Sequence, residues 1–145
     1  MNVNGRGREK HEIDRFPVIE APLGFAATRG GNGVAYARLR SAGSERLIRV
    51  PFQVQRCAGL EEREVGYAAL DAVASHLRER GVRRVRFLVA DGQLVDDVRL
   101  RREVPPPIVL PYVRLGCTLN RFERCELRRS GGDADLTRRA QAELY

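Results

Sequence analysis

Alternating apolar and polar positions divide the first half of the chain into three predicted strands. The runs GFAAT and GVAYARLRS are joined by RGGN, whose glycines and asparagine accept the positive φ of a hairpin turn. In the second run Val34 and Tyr36 share one face of the strand, and Ala35 and Ala37 share the other. A third run, RLIRVPFQV, follows the turn SAGSE, and Pro51 favours a sheet edge because proline cannot donate to the ladder. The pattern therefore predicts an antiparallel three-stranded meander.

A helical period replaces the alternation after this meander. In LEEREVGYAALDAVASHLRERG, Tyr67, Leu70, Ala74 and Leu77 recur at helical spacing and predict one buried face, and the closing glycine is a natural C-cap. The next run, RRVRFLVADGQLVDD, indicates a buried strand that stops at Asp91. Because a helix crosses over before this strand, we expect it to lie parallel to the first strand.

Two helical stretches, a polar strand and a final helix follow Asp91. GQLVDDVRLRREV favours a short helix that ends before PPP, with Asp96 and Asp97 on a solvated face, and a second helical stretch begins at Ile108. RFERCELRR is typical of a polar edge strand, and DADLTRRAQAELY predicts a closing helix with Asp133 as its N-cap. The expected order is β-β-β-α-β-α-β-α. The helical stretch that begins at Ile108 places these residues on one apolar side: Val109, Tyr112, Val113, Gly116 and Leu119.

Length and composition limit the protein class. A chain of 145 residues with 43% hydrophobic residues is expected to fold as one domain. No apolar run approaches the roughly 20 residues of a membrane span. Residues 1–15 are polar, and we expect a flexible tail without a secretory signal. The expected location is therefore the cytoplasm, with no membrane partner.

Charge changes this picture more than cysteine content does. The net charge is +7, and among the 26 basic residues only Lys10 is a lysine. Guanidinium groups pair well with phosphate, so nucleic acid is one expected partner and a solvated basic surface is the alternative. The three cysteines, Cys57, Cys117 and Cys125, and two histidines have no zinc-site spacing, and an odd cysteine count argues against a disulfide framework. We expect free thiols.

Four short motifs, in this order along the chain, resemble the ribonuclease H-like superfamily. FAATRGGNG is similar to its first hairpin, EVGYAAL to its helix motif, ADGQLV to a strand-end motif and GGDADLTRRA to its closing helix. The resemblance runs from Gly24 to Leu144, and its closest branch is the small bacterial reverse-transcriptase-like ribonuclease H domain. It implies an α/β domain over residues 16–145, with helices flanking a mixed five-stranded sheet. Strands 1–3 would be antiparallel, and strands 4 and 5 parallel to strand 1.

The resemblance also implies where a catalytic site would lie. Members that cleave RNA in RNA–DNA hybrids hold two Mg²⁺ ions with about four carboxylates. Carried over residue by residue, these acids fall on Ala26, Gly66, Asp91 and Asp135, so two of the four are absent. Asp91 and Asp135 are the remnant catalytic and metal-binding positions, and Mg²⁺ or Mn²⁺ is expected only if activity is retained.

The absent acids have no evident substitutes. Phe25, Ala26 and Ala27 contain no acid in any register, and Glu64 lies about 200° around the helix from Gly66. We expect backbone or a side chain to fill the space that the acid of position 66 would occupy. Asp91 and Asp135 also have a structural interpretation, because a carboxylate stabilises the start of a helix.

The resemblance places four candidate nucleic-acid contacts on the rim of this site. Asn32 and Gln93 match polar residues that reach the sugar edges of the minor groove, and Arg29 and Arg63 add positive charge beside them. The alternative is that Asn32 serves the turn and that the arginines are solvated.

Three functions remain open at this point. The first is a ribonuclease H-like nucleic-acid-binding domain that has lost two-metal nuclease activity and needs no cofactor. The second is an active RNA–DNA hybrid ribonuclease with a rearranged metal site. The third is a protein-interaction scaffold or homodimer that uses the outer helices or the edge strand with Pro51.

Overall fold

The protein forms a five-stranded sheet with helices on both faces. In the computed structural model the described residues are 17–54, 62–130 and 133–145, so the predicted tail (1–15) and Cys57 lie outside them. Among the described residues, none of the helices has the length and apolar composition that a membrane crossing requires. The strands are β1 (Ile19–Ala27), β2 (Asn32–Ser41), β3 (Ser44–Gln53), β4 (Arg84–Val89) and β5 (Arg124–Arg129). The helices are α1 (Glu62–Glu79), α2 (Gly92–Arg99), α3 (Pro106–Leu119) and α4 (Ala134–Leu144).

The sheet topology confirms the mixed sheet expected from the sequence. The strand order is β3-β2-β1-β4-β5; β1 and β3 each run antiparallel to β2, and β1, β4 and β5 run parallel to one another. β3, which contains Pro51, is an edge strand as predicted. Because parallel strands end on the same side, β1, β4 and β5 all end at one edge of the sheet, which we call the carboxyl edge. Asn32 and Gln53, paired across β2 and β3, lie at this edge too.

Each face of the sheet packs against different helices. On one face the predicted row of α1, from Tyr67 to Leu77, is at most 1% exposed and joins the main core. On the other face Val34 and Tyr36 pack against Leu136 and Ala140 of α4, as the alternation in β2 predicted. The closing helix therefore covers the face of the sheet that α1 leaves open.

The region between β4 and β5 contains two separate helices, α2 and α3, as the two predicted helical stretches indicated. The expected element order had counted them as one helix. α3 begins at Pro106, since proline is tolerated in the first turn of a helix. Its buried side chains are Ile108 and Leu115, whereas Val109 and Val113 are 45% and 50% exposed, so the predicted apolar side is wrong for these two valines. Because α3 is apolar on nearly all sides, the spacing of its apolar residues does not show which side is buried.

Candidate functional site

Apolar side chains fill the space that an acid at position 66 would need. A Cβ atom on Gly66 would lie 2.9 Å from Leu94 Cδ1 and 3.4 Å from Phe25 Cζ. Gly66 is buried, and Leu94 is fully buried at the start of α2. We call Phe25, Gly66 and Leu94 the apolar plug. It confirms the expectation that a side chain occupies this space.

The position on β1 that faces Gly66 differs from the predicted one. Side chains alternate along a strand, and Ala26 packs with the cluster under α4. Phe25 packs with the main core and contacts the plug. The structure therefore does not bring the predicted position Ala26 to Gly66, and Phe25 lies on the face of β1 that meets Gly66. Neither side chain offers an oxygen to a metal ion.

Asp91 caps α2. Its Oδ1 accepts hydrogen bonds from the backbone N–H groups of Gln93 at 3.0 Å and Leu94 at 3.2 Å. The backbone of Asp91 is extended, as is usual at an N-cap. One carboxylate oxygen thus fixes the turn that carries Leu94 into the plug. The structural interpretation of Asp91 is the one that its contacts support.

Asp135 lies in the first turn of α4 and is exposed. Its carboxylate forms an ion pair with Arg138 on the same helix. Asp133 occupies the N-cap position but makes no side-chain cap bond, and instead lies 3.6 Å from Arg38 Nε. Within residues 17–54, 62–130 and 133–145, no group of three or more His, Cys, Asp or Glu side chains could hold a metal ion.

Arg63 forms a buried ion pair with Asp97. Its Nη1 lies 2.8 Å from Asp97 Oδ2, and the Asp97 side chain is only 5% exposed. Tyr67 donates its hydroxyl to the same oxygen at 3.2 Å. Burial, and then the charge of Asp97, raise the pKa of Tyr67 above its usual range. The predicted solvated face was therefore wrong for Asp97, and the arrangement does not leave Arg63 free on the rim.

The first hairpin turn presents Arg29 to solvent. Thr28 N–H donates to Asn32 O at 2.7 Å, and Gly31 N–H donates to Thr28 O at 3.0 Å. Gly31 has φ +89, and its O accepts from Val54 N–H at 2.8 Å, which ties the turn to the end of β3. A side chain at position 31 would meet Val54 O at 2.5 Å, so glycine is required here. The hairpin predicted from RGGN is confirmed.

Polar and basic side chains surround the carboxyl edge. Arg29, Asn32 and Gln93 are exposed there, and Gln53 Nε2 donates to Asn32 Oδ1 at 3.1 Å. Arg129, which sequence reasoning missed, ends β5 and lies over Gly92, where a Cβ atom would be 3.0 Å from Arg129 Cδ. The sequence feature that could have identified Arg129 was its position at the end of a strand predicted to be parallel. We call these five residues the polar rim. Arg29 and Arg129 make no ion pair within the part of the chain that the structure describes.

The fold is similar to solved ribonuclease H structures. RNase H1 from the halophilic archaeon Halobacterium salinarum NRC-1 matches with a TM-score of 0.66 and 15% identity, over 87% of this chain and 93% of that chain. The N-terminal RNase H domain of a Mycobacterium tuberculosis protein matches with a TM-score of 0.58 and 13% identity, over 88% and 99%. LC11-RNase H1, isolated from compost by a metagenomic approach, matches in its complex with an RNA/DNA hybrid with a TM-score of 0.59 and 10% identity, over 86% and 91%.

Sequence comparison alone does not detect a relationship to these proteins. No protein-family model matches the chain, and no curated protein matches it either. The likeness lies in the strand order and in the helices that flank the sheet. At identities of 10–15% such a likeness establishes a shared fold. The chain therefore has the ribonuclease H-like fold that its four motifs indicated.

Proposed function

We propose that this chain is a ribonuclease H-like domain that binds nucleic acid at its carboxyl edge and does not perform two-metal hydrolysis. The observation that supports this most is the apolar plug of Phe25, Gly66 and Leu94. Two-metal hydrolysis needs several carboxylates to hold and neutralise two divalent cations. The resemblance assigns two of the four acids to Ala26 and Gly66, and neither residue provides a side-chain oxygen ligand. The phenyl ring and the leucine methyl group beside Gly66 provide none either.

Binding is supported by the polar rim beside the plug. Arg29 and Arg129 have no acidic partner among the described residues and face solvent. Asn32, Gln53 and Gln93 add neutral donors and acceptors that suit sugar edges and phosphate oxygens. A net charge of +7 favours attraction of a polyanion from a distance. LC11-RNase H1, of similar fold, was solved with an RNA/DNA hybrid, which is why a hybrid is the first probe.

The experiment is a fluorescence anisotropy titration of a labelled RNA–DNA hybrid at salt concentrations between 50 and 200 mM. Phosphate contacts release counterions, so the affinity should fall steeply as salt rises. The double variant Arg29→Gln/Arg129→Gln should bind less tightly and show a smaller salt slope. Arg121→Gln, an exposed arginine near the start of β5 at the opposite edge, is the matched control and should bind like the wild type. Absent binding at low salt, or equal losses in both variants, would remove the proposal.

An active ribonuclease with a rearranged metal site is less well supported. Asp91 could offer Oδ2 to a metal ion while Oδ1 keeps its cap bonds to α2, but Asp135 would have to leave Arg138. Two further oxygen ligands would have to come from residues other than those in the plug.

A specific observation favours protein interaction as a second candidate function. Val109, Leu110 and Val113 on α3 are 45%, 54% and 50% exposed, and together they form an uncovered apolar strip. A second copy of the chain that packs along α3 would cover it. Sedimentation velocity should then show a dimer for the wild type and a monomer for Val109→Ser/Val113→Ser. A wild-type monomer across the whole concentration series would exclude this homodimer.

A further inference from the structure

A second basic site lies at the edge of the sheet opposite the polar rim. It is a surface cleft of about 620 Å³ between the β2–β3 hairpin and the end of α1. This volume lies within the range of roughly 300–1,000 Å³ that is typical of small-molecule sites. The cleft is lined by arginine, histidine, serine and aliphatic side chains. Among the described residues no aspartate or glutamate lines it.

Arg46 enters the cleft from the sheet. It pairs with Leu39 across the β2–β3 ladder, and Ile48 follows two residues later on the same face. Leu39 and Ile48 both pack against the main core, so this is the face of the sheet that α1 covers. Arg49 also borders the cleft, but its guanidinium is engaged on the other face, where Nε donates to Glu143 Oε1 at 2.5 Å. Arg46 is therefore the β3 arginine that is available to a ligand in this cleft.

Arg80 enters the cleft from the end of α1. Both Arg46 and Arg80 are exposed, and neither makes a side-chain hydrogen bond or ion pair within the described part of the chain. His76 stands one turn before Arg80 and also lines the cleft. Ser41 and Ser44, which flank the hairpin turn, add hydroxyl groups. The polar groups of the cleft are thus mainly donors from two separate elements.

Backbone hydrogen bonds engage several of the last carbonyl groups of α1. Val82 N–H donates to Leu77 O at 3.0 Å and Gly81 N–H donates to Arg78 O at 3.1 Å, with Gly81 at φ +84. These bonds form a Schellman motif, which satisfies the last helical carbonyls. Arg78 is used locally, because its Nη1 donates to Val82 O at 3.0 Å. Arg80 has no such local bond.

We infer that this cleft binds a small organic phosphate. Two guanidinium groups and two hydroxyls provide more donors than a single carboxylate can use, and arginine pairs bidentately with phosphate oxygens. The aliphatic floor of Leu39, Ile48, Leu77 and Val82 suits the organic part of the ligand. The phosphate could belong to a free nucleotide or to the phosphorylated end of a nucleic-acid strand. This site is separate from the polar rim and does not depend on the proposed function.

Isothermal titration calorimetry of the full chain tests the inference with adenosine 5′-diphosphate, inorganic pyrophosphate and adenosine. Adenosine diphosphate should bind with one-to-one stoichiometry and more tightly than pyrophosphate, because it also covers the aliphatic floor. Adenosine alone should show no binding. Arg46→Gln and Arg80→Gln should each weaken binding about tenfold, as expected for loss of one charge-assisted hydrogen bond. Both residues are exposed, so unchanged unfolding temperatures should confirm intact folding.

Arg121→Gln removes the same charge outside the cleft and should leave the affinity unchanged. A 5′-phosphorylated oligonucleotide compared with its 5′-hydroxyl form distinguishes a strand end from a free nucleotide, and saturable binding of either phosphate source supports the site. No binding of any phosphate, or an equal loss in Arg121→Gln, overturns it. Because Arg29→Gln/Arg129→Gln should leave phosphate binding intact, failure here is distinguishable from failure of hybrid binding.

Discussion

Gly66 shows how a single residue changes the chemistry available to the fold. Glycine within a helix costs about 1 kcal/mol relative to alanine. Here it lets Leu94 Cδ1 and the Phe25 ring approach the backbone of α1, with contacts that a Cβ atom would crowd. The glycine thus permits close packing between α1, α2 and β1. At this position the chain presents apolar contacts where the resemblance implies an acid.

Restoring the acid should consequently destabilise the protein. Gly66→Glu would force a carboxylate among Leu94 and Phe25, and we expect a loss of about 3 kcal/mol or more in the free energy of unfolding. Urea unfolding measures it. Gly66→Ala is the matched control: its Cβ would lie 2.9 Å from the flexible end of Leu94 and 3.4 Å from Phe25 Cζ. Because alanine also gains helix propensity, the stability should stay within about 1 kcal/mol of the wild type. Wild-type stability of Gly66→Glu, increased further by Mg²⁺, would contradict the plug.

The buried thiol of Cys125 predicts how the free energy of unfolding depends on pH. Burial, and then the charge of Glu126, raise the pKa of its thiol from the ordinary 9.0 to about 12. The folded state thus favours the neutral thiol, and this contribution to stability is complete below pH 9 and is lost as pH rises from 9 towards 12. The unfolding free energy of Cys125→Ala should fall less between pH 9 and 10.5 than that of the wild type. Cys117→Ala, at an exposed thiol, should follow the wild-type curve; equal slopes in all three proteins would refute the assignment.

At the scale of elements, the position of α2 against α1 is fixed at both ends. Asp91 caps the first turn of α2 and so directs Leu94 into the plug. Near the other end of α2, Asp97 accepts from Arg63 and Tyr67 of α1. The cap orients Leu94 within α2, and the contacts of Asp97 join α2 to α1, so the plug depends on how the two helices are joined.

Breaking the second contact should loosen this junction. Asp97→Ala would leave Arg63 without its partner at a site where the arginine side chain is 18% exposed, and loss of one member of a buried pair costs about 3–5 kcal/mol. We expect the lower part of that range because Arg63 retains some solvent. Asp96→Ala, the exposed neighbour, should change the unfolding free energy by less than about 0.5 kcal/mol. Urea unfolding measures both variants. Similar losses would show that the buried pair contributes no more to stability than an exposed aspartate does.

The sequence predicted well those elements that are determined by neighbouring residues, through their apolar spacing or their turn-forming residues. The row from Tyr67 to Leu77, the RGGN hairpin and the edge position of Pro51 all follow from spacing and backbone preference. The exposed valines of α3 were missed because that helix is apolar on most sides. The choice between Phe25 and Ala26 and the pairing of Arg63 with Asp97 depend on which face meets which helix, which is tertiary information.

At the scale of the whole molecule, the two edges of the sheet carry different surfaces. The carboxyl edge combines the polar rim with the apolar plug, and the opposite edge carries the cleft of Arg46 and Arg80. Many other arginines are held in ion pairs, such as Arg86 with Glu126 at 2.9 Å. Arg29 and Arg129 at one edge, and Arg46 and Arg80 at the other, are among the described arginines outside such pairs. Salt should affect the two sites independently.

The most direct test of the central claim is a cleavage assay on a labelled RNA–DNA hybrid with the purified full chain in Mg²⁺ or Mn²⁺, with binding followed in the same samples. We expect the hybrid to be bound and to stay intact over hours, in wild type and Asp91→Asn alike. Asparagine is also a good N-cap, so this control should keep the fold while removing the carboxylate charge. Metal-dependent cleavage by the wild type that disappears in Asp91→Asn would show instead that the domain is an active nuclease.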